Sequence, residues 1–180
     1  MVLKVVNKQE IQYYEHIVDL MHERGVELSD IIPIAHFLED KYIPNLTDKM
    51  CLEAVKKVLH KREVQNAIMT GIQLDILAEQ GGVLSKPMQR ILDTDDSLYG
   101  IDENLAITMC GLYGSVAVSN YGYVDKLKYG ILEELNDKST GKVNVFLDDL
   151  VGAIGACTAG YLSHNNKYNN MEEDFYEENN

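Results

Sequence analysis

Val145-Phe146-Leu147-Asp148-Asp149-Leu150-Val151-Gly152-Ala153-Ile154-Gly155-Ala156 sets two adjacent carboxylates inside an otherwise apolar, small-residue segment. Apolar and small side chains fill nearly every other position, the pattern of a helix covered on all sides. An ionised carboxylate in such surroundings is costly unless it is paired, hydrogen-bonded or bound to a metal. A divalent cation is one candidate for the compensating charge. The helix macrodipole is a plainer one, since it favours carboxylates at a helix N-terminus by about 0.3–1 kcal/mol.

Outward from this segment the periodicity is helical almost throughout. Ile11, Tyr14, Ile17, Val18 and Met21 make an apolar stripe that Gly25 ends. Ser29 is placed to cap a short helix with Ile31, Ile34, Ala35 and Leu38 inward. Pro44 breaks the chain, and Thr47 caps a third helix with Leu52, Val55 and Leu59 inward. Residues 62–80 form a longer helix, apolar around most of its circumference as a central helix surrounded by others should be, and Gly81-Gly82 closes it. Ser85 and Pro87 open a short helix that ends in the turn Asp93-Thr94-Asp95-Asp96-Ser97. Helices are expected over about 102–111, 113–123, 130–137 and 145–163.

The expected fold is therefore all-α, a single-domain helical bundle over residues 1–164 with a central buried helix surrounded by others. Residues 1–61 read as an N-terminal helical extension and 62–163 as the core. The polar, acidic residues 165–180 cannot bury enough surface to offset chain entropy, so a disordered tail is expected there.

The formal net charge is −13. Glu172, Glu173, Asp174, Glu177 and Glu178 place −5 of it in residues 171–180. With no Arg/Lys stripe to offset it, this balance repels phosphate backbones and argues against nucleic-acid binding. Cys51, Cys110 and Cys157 are widely spaced in apolar sequence and read as small buried hydrophobes of a reducing cytoplasm. With His16, His22, His36, His60 and His164 they form no zinc motif. Residues 104–124 carry no charge over 21 positions, about a membrane span in length, but their Asn, Ser, Thr and Gly content favours two buried helices in series. A soluble, cytoplasmic protein is expected, because the N-terminus also lacks a signal-peptide core.

Four acidic sites lie beside the most apolar, glycine-rich parts of the chain: Glu79, Asp102-Glu103, Asp125 and Asp148-Asp149. Each has a bland reading as a helix-end or surface charge. Together they suggest carboxylates presented from several helices into one bundle, the way helical proteins build metal sites. Oxygen donors without His or Cys point to Mg²⁺ or Mn²⁺. Lys126 and Lys128 flank Asp125 and are either surface lysines or positive charge for an anionic substrate.

These residues carry a pattern that resembles the phosphatidylglycerophosphatase A family, in particular its short branch known as low-temperature-requirement protein C. The likeness runs over about residues 62–163. The family's acidic run ending in Asp-Glu is matched by Asp95-Asp96-Ser97-Leu98-Tyr99-Gly100-Ile101-Asp102-Glu103. Its Asp-x-x-Lys-Pro is matched by Asp125-Lys126-Leu127-Lys128-Tyr129, and its Asp-Asp before a small-residue helix by Asp148-Asp149. Ala78-Glu79 is a weaker match. The family's arginine three residues before the Asp is Gly122 here, and its proline after the Lys is Tyr129.

The resemblance implies a magnesium-dependent phosphomonoesterase that removes the terminal phosphate of phosphatidylglycerophosphate or of a related soluble phosphomonoester. It implies metal ligation by Glu79, Asp102, Glu103, Asp125 and Asp149, and catalytic roles for Asp125, Asp148, Asp149 and Lys128. Mg²⁺ or Mn²⁺ is the implied cofactor, and membrane contact is at most peripheral, at the inner face. Two readings of other classes stand beside it. One is a non-catalytic metal- or ligand-binding regulatory protein that retains the acidic pocket. The other, an all-α nucleotide pyrophosphatase, ranks last because Glu10 and Glu15 lack the Glu-x-x-Glu spacing. Tyr113, Tyr121, Tyr123 and Tyr129 fit either a homo-oligomer interface or core packing.

Overall fold

A computed structural model describes the backbone of residues 13–177 and the side chains of residues 13–165. Ile11 and the N-terminal segment lie outside the described residues. The chain runs through α1 (Tyr13–Glu23), α2 (Ile32–Glu39), α3 (Asp48–Leu59), α4 (Arg62–Gln80), α5 (Lys86–Thr94), α6 (Ile101–Gly111), α7 (Ser115–Leu127), α8 (Ile131–Leu135) and α9 (Leu147–Glu177). Single 3-10 turns at Leu28–Ile31 and Lys138–Thr140 complete it, and no strand occurs among the described residues. The protein is all-α.

Local signals explain most boundaries. Thr47 caps α3 by accepting a hydrogen bond from the Met50 N–H at 3.3 Å. Gly81 and Gly82 follow α4 with positive φ, where an L side chain is disfavoured. Asp95 closes α5 in the left-handed region. The uncharged run breaks into α6 and α7 at residues 112–114, and no helix among the described residues is long and apolar enough to cross a membrane. Ser29, expected as a cap, lies inside the 3-10 turn instead. There Glu27 and Asp30 form the capping box.

The central helix is α9, not the 62–80 helix that the sequence reading places inside. α9 packs against α2, α3, α4, α6, α7 and α8. Leu147, Val151, Ala153, Ile154, Ala156, Cys157 and Ala159 on it are fully buried. α4 instead leaves Asn66, Thr70 and Gln73 exposed. Side-chain size decides between the two helices. A Cβ added at Gly155 would stand 2.5 Å from Ile34 Cγ2, and one at Gly71 2.9 Å from Phe146 Cβ. Glycine at these two positions lets α2 and α4 close directly onto α9.

The backbone of residues 165–177 continues α9. Extending an established helix adds a hydrogen bond per residue, whereas starting one is unfavourable. The packed part of α9 supplies that start. Cys51, Cys110 and Cys157 are buried free thiols, as expected. Tyr121 is core, while Tyr123 and Tyr129 are exposed and stack with Phe37 at centroid distances of 5.7 and 4.2 Å.

Gly155→Ala is expected to destabilise the protein by about 1–3 kcal/mol in urea denaturation, through overpacking against Ile34. Gly122→Ala, on the open face of α7 with nothing within 4 Å, is expected to add about 0.5–1 kcal/mol. Equal effects at the two positions would contradict the close approach of α2 and α9.

Candidate active site

α9 begins against two carboxylates of α4. Asp75 is fully buried and accepts hydrogen bonds from the Phe146 N–H at 3.1 and 3.2 Å and from the Leu147 N–H at 3.0 Å. These are N–H groups that a helix start leaves without an internal partner. One turn later Glu79 receives a bidentate pair from Arg24, at 2.8 and 2.7 Å, and the Val143 N–H at 2.8 Å. Arg24 also donates to the Val143 carbonyl at 2.7 Å and to Asn144 Oδ1 at 2.8 Å. The segment leading into α9 is thereby latched to α4 and to the end of α1.

From this fixed start, Asp148 and Asp149 reach a cavity of about 330 Å³ between α6, α7 and α9. Its wall brings together Asp102 and Glu103 from α6, Asp125 from α7, Lys128, Asp148 and Asp149. Asp95, Asp96 and Lys138 stand at its edge, and Lys138 pairs with Asp95 at 2.8 Å. Lys128 follows α7 in the left-handed region, at φ 47° and ψ 50°. Its Nζ lies 2.5 Å from Asp125 Oδ1, 2.9 Å from Asp148 Oδ2 and 4.0 Å from Asp149 Oδ1.

Of the residues expected in the site, only Glu79 is absent. Its carboxylate is committed to Arg24, whose hydrogen bonds hold it below the ordinary carboxylate pKa. It braces the approach to α9 and is not one of the pocket's walls.

The pocket holds more negative charge than its lysines offset. Burial, then the adjacent Asp148, push the Asp149 carboxyl up to about 8. Burial also raises Asp148, against the pull of Lys128, and it raises Asp102. For Lys128 burial works downward, but Asp148 and Asp125 outweigh it and raise the ammonium above its usual value. Burial lifts Asp75 to about 8 despite the Phe146 and Leu147 N–H donors.

Three residues of this arrangement escaped the sequence reading. Asp75 is the lone acid in the apolar run Ile72-Gln73-Leu74-Asp75-Ile76-Leu77-Ala78, a mismatch that marks it as a buried group in need of donors. Arg24, 55 positions from Glu79, gave no signal. Tyr121 is buried one turn before Asp125, and its hydroxyl lies among Asp149, Asp125 and Glu103.

The donor set fits a divalent cation in charge and chemistry. Only carboxylate oxygens converge, and burial, with like charge as a smaller contribution, raises Asp102, Asp148 and Asp149 above the ordinary carboxylate range. Among the described residues no group of three His, Cys, Asp or Glu side chains is arranged to hold an ion as it stands, and the Lys128 ammonium lies between Asp125 and Asp148.

The family described as Phosphatidylglycerophosphatase A matches residues 28–164. The match begins well before residue 62, so α2 and α3 belong to it, and the N-terminal extension is shorter than the sequence reading has it. The motifs quoted above lie in α4–α9. α2 and α3 contribute packing residues such as Ile34, which short motifs do not reveal. The uncharacterized protein YutG of Bacillus subtilis (strain 168) is 57% identical over 144 residues, 80% of this chain and 86% of its own. The low temperature requirement C protein from Listeria monocytogenes superposes with a TM-score of 0.83 at 47% identity, over 87% of this chain and 98% of its own. A protein of unknown function from Bacillus stearothermophilus superposes at 0.82 with 51% identity, over 84% and 94%.

The charge balance sets a pH dependence. The folded state holds a proton on Asp149 up to about 8, against 3.8 ordinarily. That stabilising contribution is complete below the ordinary value and lost as pH rises through about 8. Without added metal, thermal melts at pH 5 and pH 8.5 are therefore expected to show Asp149→Asn gaining on the wild type at the higher pH. A difference that does not change with pH would contradict a buried Asp149 carboxyl that holds its proton to about 8.

Proposed function

Because the chain belongs to the phosphatidylglycerophosphatase A family, we propose that it is a magnesium- or manganese-dependent phosphomonoesterase acting at the acidic pocket where α9 begins. Its substrate is phosphatidylglycerophosphate, which loses its terminal phosphate, or a soluble phosphomonoester of similar chemistry. The observation that carries this reading is the meeting of Asp102, Glu103, Asp125, Asp148 and Asp149 around Lys128 in one cavity. The reading includes a cytoplasmic protein with peripheral contact at the inner membrane face.

A divalent cation held by Asp102, Glu103, Asp125 and Asp149 supplies charge neutralisation and polarisation of the phosphoryl oxygens. In the reaction, a water oxygen forms the new bond to phosphorus and gives up a proton, the bond to the alcohol oxygen breaks, and that oxygen takes up a proton in turn. The chain's own part is mostly placement and charge, as phosphoryl transfer requires. Lys128 presents an ammonium that Asp125 and Asp148 keep protonated, suited to a phosphate oxygen. In the metal-free pocket Asp149 holds a proton near neutral pH, and a cation ligated by this carboxylate would take that proton's place. Asp75 and the Arg24–Glu79 pair fix the backbone from which Asp148 and Asp149 project.

Phosphate release from phosphatidylglycerophosphate in mixed micelles, compared with nucleotides and sugar phosphates, tests the reading. Activity requiring Mg²⁺ or Mn²⁺ is expected, with Asp125→Asn and Asp149→Asn each lowering kcat by on the order of 10²-fold or more. Variants as active as the wild type would overturn the assignment of residues. In the same preparations Mg²⁺ or Mn²⁺ is expected to raise the melting temperature of the wild type but not of Asp149→Asn. No shift in the wild type at millimolar metal would remove the cation from the proposal.

A further inference from the structure

Tyr121 is a polar side chain that the fold buries and leaves unsatisfied. It is 4% exposed, and its hydroxyl oxygen has no hydrogen-bond partner among the described residues. The ring packs over Gly152 of α9, where an added Cβ would stand 3.7 Å from it, so the aromatic body is well seated. The hydroxyl end stands beside Asp149, short of a well-formed bond, with Asp125 and Glu103 as its other charged neighbours.

A buried hydroxyl without a partner is destabilising, and such groups are rare enough in folded proteins to need a reason. Phenylalanine would fill the same space against Gly152 without that cost. Against an ionised Asp149 carboxylate, the form that binds a cation, the hydroxyl can serve only as a donor. Of its three charged neighbours, Asp149 is the nearest in interaction and projects from the same helix that Tyr121 packs against.

We propose that Tyr121 is a positioning residue for Asp149. Its hydroxyl donates to the Asp149 carboxylate when the pocket takes up a divalent cation, fixing the orientation in which that carboxylate binds. The inference rests on the cation reading of the pocket given above. An outer partner of this kind holds a ligating carboxylate in place, and its loss typically weakens metal affinity by about 10–100-fold. In the metal-free protein the same hydroxyl is a cost, and the cation-bound form relieves it.

The two states give opposite signs in one variant. Tyr121→Phe in the full chain is expected to raise the metal-free melting temperature by about 2–4 °C, because an unsatisfied group is removed. The same variant is expected to bind Mn²⁺ about 10–100-fold more weakly in titration calorimetry. A residue with only a packing role would give neither effect. Unchanged Mn²⁺ affinity would overturn the proposal. So would a lower metal-free melting temperature or loss of helical content, since either shows the hydroxyl to be satisfied within the fold. If the wild type itself binds no Mn²⁺, the cation reading of the pocket fails and this inference fails with it; a wild type that binds and a variant that binds equally well isolates the failure to Tyr121.

Discussion

The hydrogen bonds from the Phe146 and Leu147 N–H groups to Asp75 are the constraint on which the rest of the site depends. α9 runs through the middle of the bundle, so the position of its first turn fixes where Asp148 and Asp149 point. A helix start exposes N–H donors that need acceptors, and in this interior only a protein group is there to supply them. Asp75 does so from α4, and Glu79, four residues on along the same helix, fixes the preceding segment through Arg24. A single helix face thus holds both the end of the incoming loop and the start of the central helix.

The same burial accounts for the electrostatics. Carboxylates on α6, α7 and α9 face one cavity with Lys128 as the cation between them. Each carboxylate withdrawn from water favours its protonated form, and each added neighbour of like charge favours it further. In the proposed function, a divalent cation would take the place of these protons.

Much of this was readable from the chain. The helical periodicity, the Thr47 cap, the glycines after α4 and the acidic sites at the starts of α6 and α9 are local features, and local features survive into the fold. The identity of the central helix was not readable, because α4 and α9 are both apolar and hydrophobicity does not rank them. The close contacts of Gly155 with Ile34 and of Gly71 with Phe146 decide it, and these join distant parts of the chain. Glu79 pairs with Arg24 and does not line the pocket, and nothing near it in sequence shows that Arg24 will arrive. Asp75 reads locally as helix interior, and Tyr121 as interface or core packing. Their importance lies in what the neighbouring helices bring to them.

Lys128 sits in the left-handed region, a conformation that costs a non-glycine residue on the order of 1 kcal/mol or more. The consequence is one of preorganisation. The backbone there turns sharply out of α7, and the ammonium is held between Asp125 and Asp148 before any substrate arrives. The loss of conformational freedom and the reorientation of charge are completed when the chain folds. An anionic substrate of the kind proposed would meet a donor already in place, which would leave more of its interaction energy available as affinity or as stabilisation of the transition state.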